Sequence, residues 1–381
     1  MSFVRIGTVE TASAYYCDVT DQFLCLDPRG AAILEAYELG IPREDVQAAL
    51  GQRAAAVDDP EFEFLWNTLT RAAEVQCTES VETATPATRT QAMLSDPGAC
   101  SRHLDVDCGP LVVRVSATPA AAQAIFPILS RYYRVCRADP VAPVENRIFL
   151  RDRPDGLIAK SVTSPCYAVE DSSAPADSLF VAMSKDLTEL ACNYDNTLCV
   201  LHAATLCRDG KTLILSNPSG SGKTTLAWLL VTAGFELVHD DVLPVRLDGT
   251  IESLKTPSTI KEGSWDVLSK AGLALPQDCF ERFQTRAKFR PIEGSGSCRS
   301  SDDRYIVFPT YSPGQPATLE SLSPIETFSR IIREECVIRD RSIDRLQRIF
   351  QWITSSRGAV LGYSDKDEAV ALLGGWMRAE R

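Results

Sequence analysis

Few architectures can accommodate the run KTLILSNPSGSGKTTLAWLLVTAGF at positions 211–235. An apolar stretch (Leu213, Ile214, Leu215) breaks into a turn of glycine and serine, which opens onto a segment carrying Leu226, Trp228, Leu229 and Leu230. Strand, tight loop and helix in that order converge the N–H groups of the loop and helix N-terminus on one point, as a phosphate requires. The predicted nucleotide cradle is Ser219, Gly220, Ser221, Gly222, Lys223, Thr224 and Thr225. Gly220 and Gly222 permit close backbone approach. Lys223 is placed to contact the β- and γ-phosphates of ATP, and the Thr224 hydroxyl to bind Mg²⁺. The pattern G-x-x-x-x-G-K-[ST] asks for glycine at 217, where this chain has Asn217. Asparagine tolerates left-handed backbone better than most residues, so the loop is still expected to form.

Sixteen residues beyond Thr224, the run GFELVHDDVLPV ends on Asp240 and Asp241. Adjacent carboxylates at a strand end suit phosphoryl transfer, one holding Mg²⁺ and the other taking a proton from the acceptor hydroxyl. Neighbours on a strand face opposite ways, so both reach one site only where the strand ends or twists. The candidate metal ligands are Thr224 and Asp241; the candidate catalytic groups are Asp240, Asp241, His202 and Lys223, with the choice of base left open. His202, in CVLHAATLCRDGKTLIL, falls on a strand that turns back at Arg208 to Lys211. Its imidazole is suited to orienting a carboxylate. His239 reads as a packing residue, and Lys261, Arg286, Lys288, Arg290 and Arg304 as cations available to a developing phosphoryl charge.

A length of 381 residues exceeds one domain of roughly 150 and points to two or three. Residues 1–76 read as a small α+β module of winged-helix type, with Asp27 or Pro28 opening a helix through Ile33, Leu34 and Tyr37. Gly40 and Pro42 break that helix, and further helical patterns follow at Val46, Ala49 and Leu50 and in PEFEFLWNTLTRAAEV. The Thr-, Ser- and Pro-rich stretch 77–100 reads as a linker, leaving 101–381 as the phosphate-loop domain. The net charge of −12 argues against nucleic acid and anionic membrane as partners. Thirteen scattered cysteines without a CxxC pair outline neither a disulfide framework nor a zinc site, and no stretch is apolar enough to span a bilayer. A reducing cytoplasm is expected.

The 45 residues from Leu201 to Val245 resemble the core of the HPr kinase/phosphorylase superfamily, where a histidine precedes the loop by about fifteen residues and a helix leads to a strand ending in Asp-Asp. TIKEGSWDVL and RYIVFPTYSPGQPATLESLSP resemble its downstream parts more loosely. The resemblance implies a phosphoenolpyruvate-carboxykinase-like mixed sheet within an α/β chain that is α+β as a whole, and a homo-oligomer of unspecified size. It also implies that one Asp is the base, the other assists Mg²⁺, and His202 supports the base. A Glu-Val-Arg-Gly type segment is missing, so neither the reverse, phosphorolytic reaction nor HPr as substrate is expected. FLCLDPRGAAILEAYELGIPREDVQAAL resembles the peptide-recognition modules of ribosomally made, modified peptides, which bind a leader by strand addition, with a plain regulatory or oligomerisation domain as the alternative for residues 1–76. Together these are similar to lasso-peptide precursor kinases, which phosphorylate a serine. A small-metabolite kinase and a nucleotide-binding regulator with little turnover are the alternatives.

Overall fold

Asp27 begins the first helix by accepting a hydrogen bond from the Gly30 amide at 2.7 Å, with Pro28 in the first turn where its missing N–H costs nothing. The computed structural model describes residues 3–18, 20–51, 60–75, 100–137, 144–164, 172–251, 253–282, 284–293, 303–334 and 336–379. The expected linker at 77–100 lies almost wholly outside them. Strands β1 (Val4–Val9), β2 (Ala12–Cys17) and β3 (Gln22–Leu26) precede α1 (Pro28–Glu38), α2 (Arg43–Gly51) and α3 (Pro60–Val75). Next come β4 (Arg102–Asp107), β5 (Val112–Ala117), α4 (Pro119–Tyr132), β6 (Arg134–Arg137), β7 (Arg147–Asp152), β8 (Ile158–Thr163), β9 (Ser172–Ala174) and α5 (Ala176–Cys192). The central segment holds β10 (Thr197–Leu201), β11 (Ala203–Arg208), β12 (Lys211–Ser216), α6 (Lys223–Thr232), β13 (Glu236–His239) and β14 (Leu243–Arg246). It is followed by β15 (Ser258–Lys261), α7 (Trp265–Lys270), β16 (Phe280–Arg282), β17 (Thr285–Arg290), β18 (Arg304–Tyr311) and β19 (Thr318–Leu322). The chain closes with α8 (Pro324–Glu334), β20 (Cys336–Val337), α9 (Ile343–Thr354), β21 (Arg357–Tyr363) and α10 (Lys366–Ala379).

Two compact units emerge, and their membership differs from the expected split at the linker. The first joins residues 1–86 to 323–332 and 340–355, so most of α8 and all of α9 belong with the N-terminal strands. Its sheet is an antiparallel meander in the order β1-β2-β3. One core gathers Ile33, Leu34, Phe62, Leu65 and Leu69. A second set of contacts runs through the rings of Phe23, Phe328 and Phe350, at 6.4 and 5.0 Å between successive centroids. Gly7 makes the packing of α9 on β1 tight, because a Cβ there would lie 2.2 Å from Phe350 Cδ1. Gly7→Ala is therefore expected to destabilise this unit by about 1–3 kcal/mol, measured by urea denaturation, since a buried ring must move to admit the methyl group.

The second unit, residues 87–322, 333–339 and 356–381, is mixed α/β with mixed sheets. One six-stranded sheet, β6-β4-β5-β7-β8-β9, packs with α4 and α5 around Ile125, Leu129, Phe180 and Leu187. The other runs β13-β11-β12-β18-β21-β19, with β12, β18 and β21 parallel and β11 and β19 antiparallel to their neighbours. Its core includes Leu213, Leu215, Leu226, Leu230, Leu373 and Met377, each worth about 1.5–3 kcal/mol of apolar burial. Smaller sheets, β14-β10-β20 and β15-β17-β16, complete the unit. Cys207 is disulfide-bonded, a crosslink that the scattered cysteine spacing did not disclose. Among the described residues no helix is long and apolar enough to cross a membrane.

Candidate functional site

Strand register brings the phosphate loop, the acidic pair and His202 to one end of the strands. Asp209 and Gly210, both at positive φ (51° and 74°), make the two-residue turn that pairs Arg208 with Lys211, as an Asp-Gly hairpin requires. That pairing sets Ala203 opposite Ser216, while Thr205 pairs with His239 across the other side of β11. The end of β12, the end of β13 and the start of β11 consequently lie side by side at one end of the sheet, so the loop, the acidic pair and His202 meet there. His202 occupies the break between β10 and β11, a correction to the expectation of a strand position.

The loop has the form an anion needs. Gly220 and Gly222 both take φ of 91°, and a Cβ at 220 would meet nothing within 4 Å, leaving open space above the loop. Gly222 caps α6 without any side-chain hydrogen bond, so the first-turn amides of the helix keep their capacity for a ligand. Ser221 Oγ is buried without a hydrogen-bond partner among the described residues. Lys223 is buried and donates to the carbonyl oxygens of Asn217 and, at 3.2 Å, Pro218, curling over the loop. Asn217 does not use a left-handed backbone, contrary to expectation. Its side chain donates to Pro309 O at 2.6 Å and ties the loop to β18, a role glycine lacks. These features fit the phosphates of a nucleotide.

β13 stops at His239, and the next two residues turn sharply. Asp241 sits at φ 79°, a sparsely populated region for a non-glycine residue, and this turn lets both carboxylates line one cavity of about 210 Å³. Asp240 is buried and accepts from Thr224 Oγ1 at 3.0 Å and from Ser258 Oγ, which Trp228 Nε1 holds at 2.8 Å. Burial, reinforced by the neighbouring Asp241 charge, pushes the Asp240 carboxyl up to about 6 against those hydrogen bonds. Asp241 lies between His202 Nδ1 at 3.4 Å and an Arg282 guanidinium nitrogen at 3.2 Å. Thr224 thus pairs with Asp240, not with Asp241 as the expected metal set had it. Among the described residues no cluster of three His, Cys, Asp or Glu side chains could by itself cage a metal.

The raised Asp240 value has a consequence for stability without ligand. Between about pH 4 and 6 the folded protein holds a proton that the unfolded chain has released, so this group's contribution falls as pH rises through that window. Asp240→Asn is expected to remove that fall and to be more stable than the unaltered protein by about 3 kcal/mol near neutrality. Urea denaturation across that range checks it.

The remaining candidates separate by position. Lys261 Nζ donates to Ser219 Oγ at 3.2 Å, at the loop itself. Arg286 pairs with Glu262 at 3.4 Å, while Lys288 and Arg290 donate to backbone carbonyls of Pro276 and Ala274. Arg304 starts β18, beside Thr212 at the opposite end of the parallel strands from the loop. His239 is buried and accepts from the Leu254 amide at 3.3 Å, in keeping with a packing role. Arg282 and Ser258 were not anticipated, because β15 and β16 come to the acidic pair only through folding. Tyr363 was also missed; its hydroxyl lies 3.2 Å from where a Gly222 Cβ would stand, and burial pushes that phenol up to about 12. No model of a known protein family matches the chain, and comparison with curated proteins finds no match.

Proposed function

We propose that the chain is an ATP-dependent kinase that transfers the γ-phosphate to a hydroxyl, most specifically a serine of a ribosomally made peptide or of a protein. The observation that carries this reading is the 3.0 Å hydrogen bond joining Thr224 of the loop to Asp240, which lines one cavity with Asp241, itself 3.4 Å from His202. Bound Mg²⁺ and ATP would supply the phosphoryl group and neutralise its charge. The amides of Gly220 to Thr224 would hold the phosphates with Lys223, and Thr224 and Asp240 would hold the metal. Asp241 Oδ would take the acceptor hydroxyl's proton, kept in orientation by His202 Nδ1. Arg282, on the far side of Asp241, would stabilise negative charge as it builds.

The fold proposal follows from the same features. A mixed sheet with the loop strand β12 flanked by β11 and β18 supports a phosphoenolpyruvate-carboxykinase-like domain. A three-stranded meander with β3 at an edge, followed by three helices, supports the winged-helix-like peptide-recognition reading of the first unit, with leader binding by strand addition. Deleting residues 1–76 would strip α8 and α9 of their core, so the substrate is the better place to cut. A precursor peptide shortened at its N-terminal end should show a KM raised about tenfold or more with kcat less affected, in steady-state kinetics. Equal KM for both lengths would favour a kinase that ignores the leader, and transfer only to small hydroxylated metabolites would favour the alternative acceptor class.

A further inference from the structure

The cavity at Asp240 and Asp241 extends away from the phosphate loop, toward α5 and the end of α4. Two of its lining residues stand out. Tyr133 and Ser184 are 5% and 8% exposed, and their hydroxyls face each other with no other partner among the described residues. One mutual contact still leaves hydrogen-bonding capacity of both groups unused, and a buried polar group left unsatisfied costs roughly 1–3 kcal/mol. Arg282 lines the same space and its charge reaches Tyr133, placing the pair within the electrostatic range of the acidic centre. Val181, Pro257 and Phe289 give the cavity apolar walls.

Size restricts what can enter. At about 210 Å³ the cavity lies below the roughly 300–1,000 Å³ of sites that enclose a whole drug-sized ligand. It suits one small residue of an extended chain, with methylene carbon against the apolar walls and polar atoms toward the hydroxyls.

We infer that this cavity is the acceptor site, that it takes a single Ser or Thr from an extended peptide segment, and that the Tyr133 and Ser184 hydroxyls bind the acceptor's backbone beside the hydroxyl to be phosphorylated. The inference rests on the kinase reading above. In the step itself the acceptor oxygen forms the new bond to phosphorus as the bond to the departing ADP oxygen breaks, and the hydroxyl proton passes to Asp241.

The test uses three synthetic peptide pools, each with one hydroxyl residue (Ser, Thr or Tyr) in otherwise mixed sequence, and ATP labelled on the γ-phosphate. The full-length protein should label the Ser and Thr pools and not the Tyr pool. Tyr133→Phe and Ser184→Ala should each raise the KM for the Ser pool by about 3- to 10-fold without moving the KM for ATP. Thermal melts identify a variant that fails to fold, in which case the other decides. Labelled Ser with unchanged acceptor KM in the folded variants, or equal labelling of the Tyr pool, would overturn the acceptor site while leaving the kinase reading standing. No label in any pool, although the protein binds ATP, would overturn the peptide acceptor and the serine-kinase reading together.

Discussion

Lys223→Ala should lower phosphoryl transfer by about a hundred- to a thousandfold, the usual cost of removing one charged stabiliser from a transition state, while the protein remains folded. The side chain is buried at the first position of α6, curled back on the carbonyls of Asn217 and Pro218. Those contacts hold its ammonium group at the loop. Alanine is the best helix former and creates no clash there, so α6 should persist with its core of Leu226, Leu229 and Leu230. Circular dichroism alongside the kinetic assay separates the two effects. Full activity in a folded variant would remove the loop from the chemistry.

Asp241→Asn should reduce kcat by about a hundred- to ten-thousandfold and leave ATP affinity within a few fold, because the lost group is a proton acceptor rather than a phosphate ligand. Asp240→Asn should behave differently. Its partner is Thr224, so the deficit should appear in Mg²⁺ dependence, with more metal needed for half-maximal rate. That contrast follows from geometry: Asp241 faces His202 and Arg282, while Asp240 faces the loop and Ser258. A result in which the two substitutions exchange these signatures would reverse the roles. Comparison of kcat, KM for ATP and half-saturating Mg²⁺ for both variants decides it.

The parts of this site that could be read from the chain are those fixed by local chemistry. Strand, loop and helix around Gly222 follow from apolar spacing and glycine placement, and the Asp-Gly turn at 209–210 pins the register that brings His202 to the loop. The acidic pair was legible for the same reason, being one strand beyond α6. Its division of labour was not legible, because spacing cannot say which of two adjacent carboxylates meets Thr224 once Asp241 enters a left-handed turn. Arg282 and Ser258 lie 41 and 18 residues from the acids they touch, on strands whose partners are set by sheet assembly. The membership of α8 and α9 was hidden likewise. Their apolar faces, Phe328 and Ile331 on one and Leu346, Ile349 and Phe350 on the other, say that each helix is half-buried but not against which core.

The most direct test of the serine-kinase reading is mass spectrometry of small peptides encoded beside this gene, incubated with the protein, Mg²⁺ and ATP in parallel with the Lys223→Ala variant. Phosphate on a serine of one such peptide, placed by the unaltered protein and lacking with the variant, is the expected result. Peptides that stay unmodified while ATP binds, or that the variant phosphorylates equally well, would contradict it.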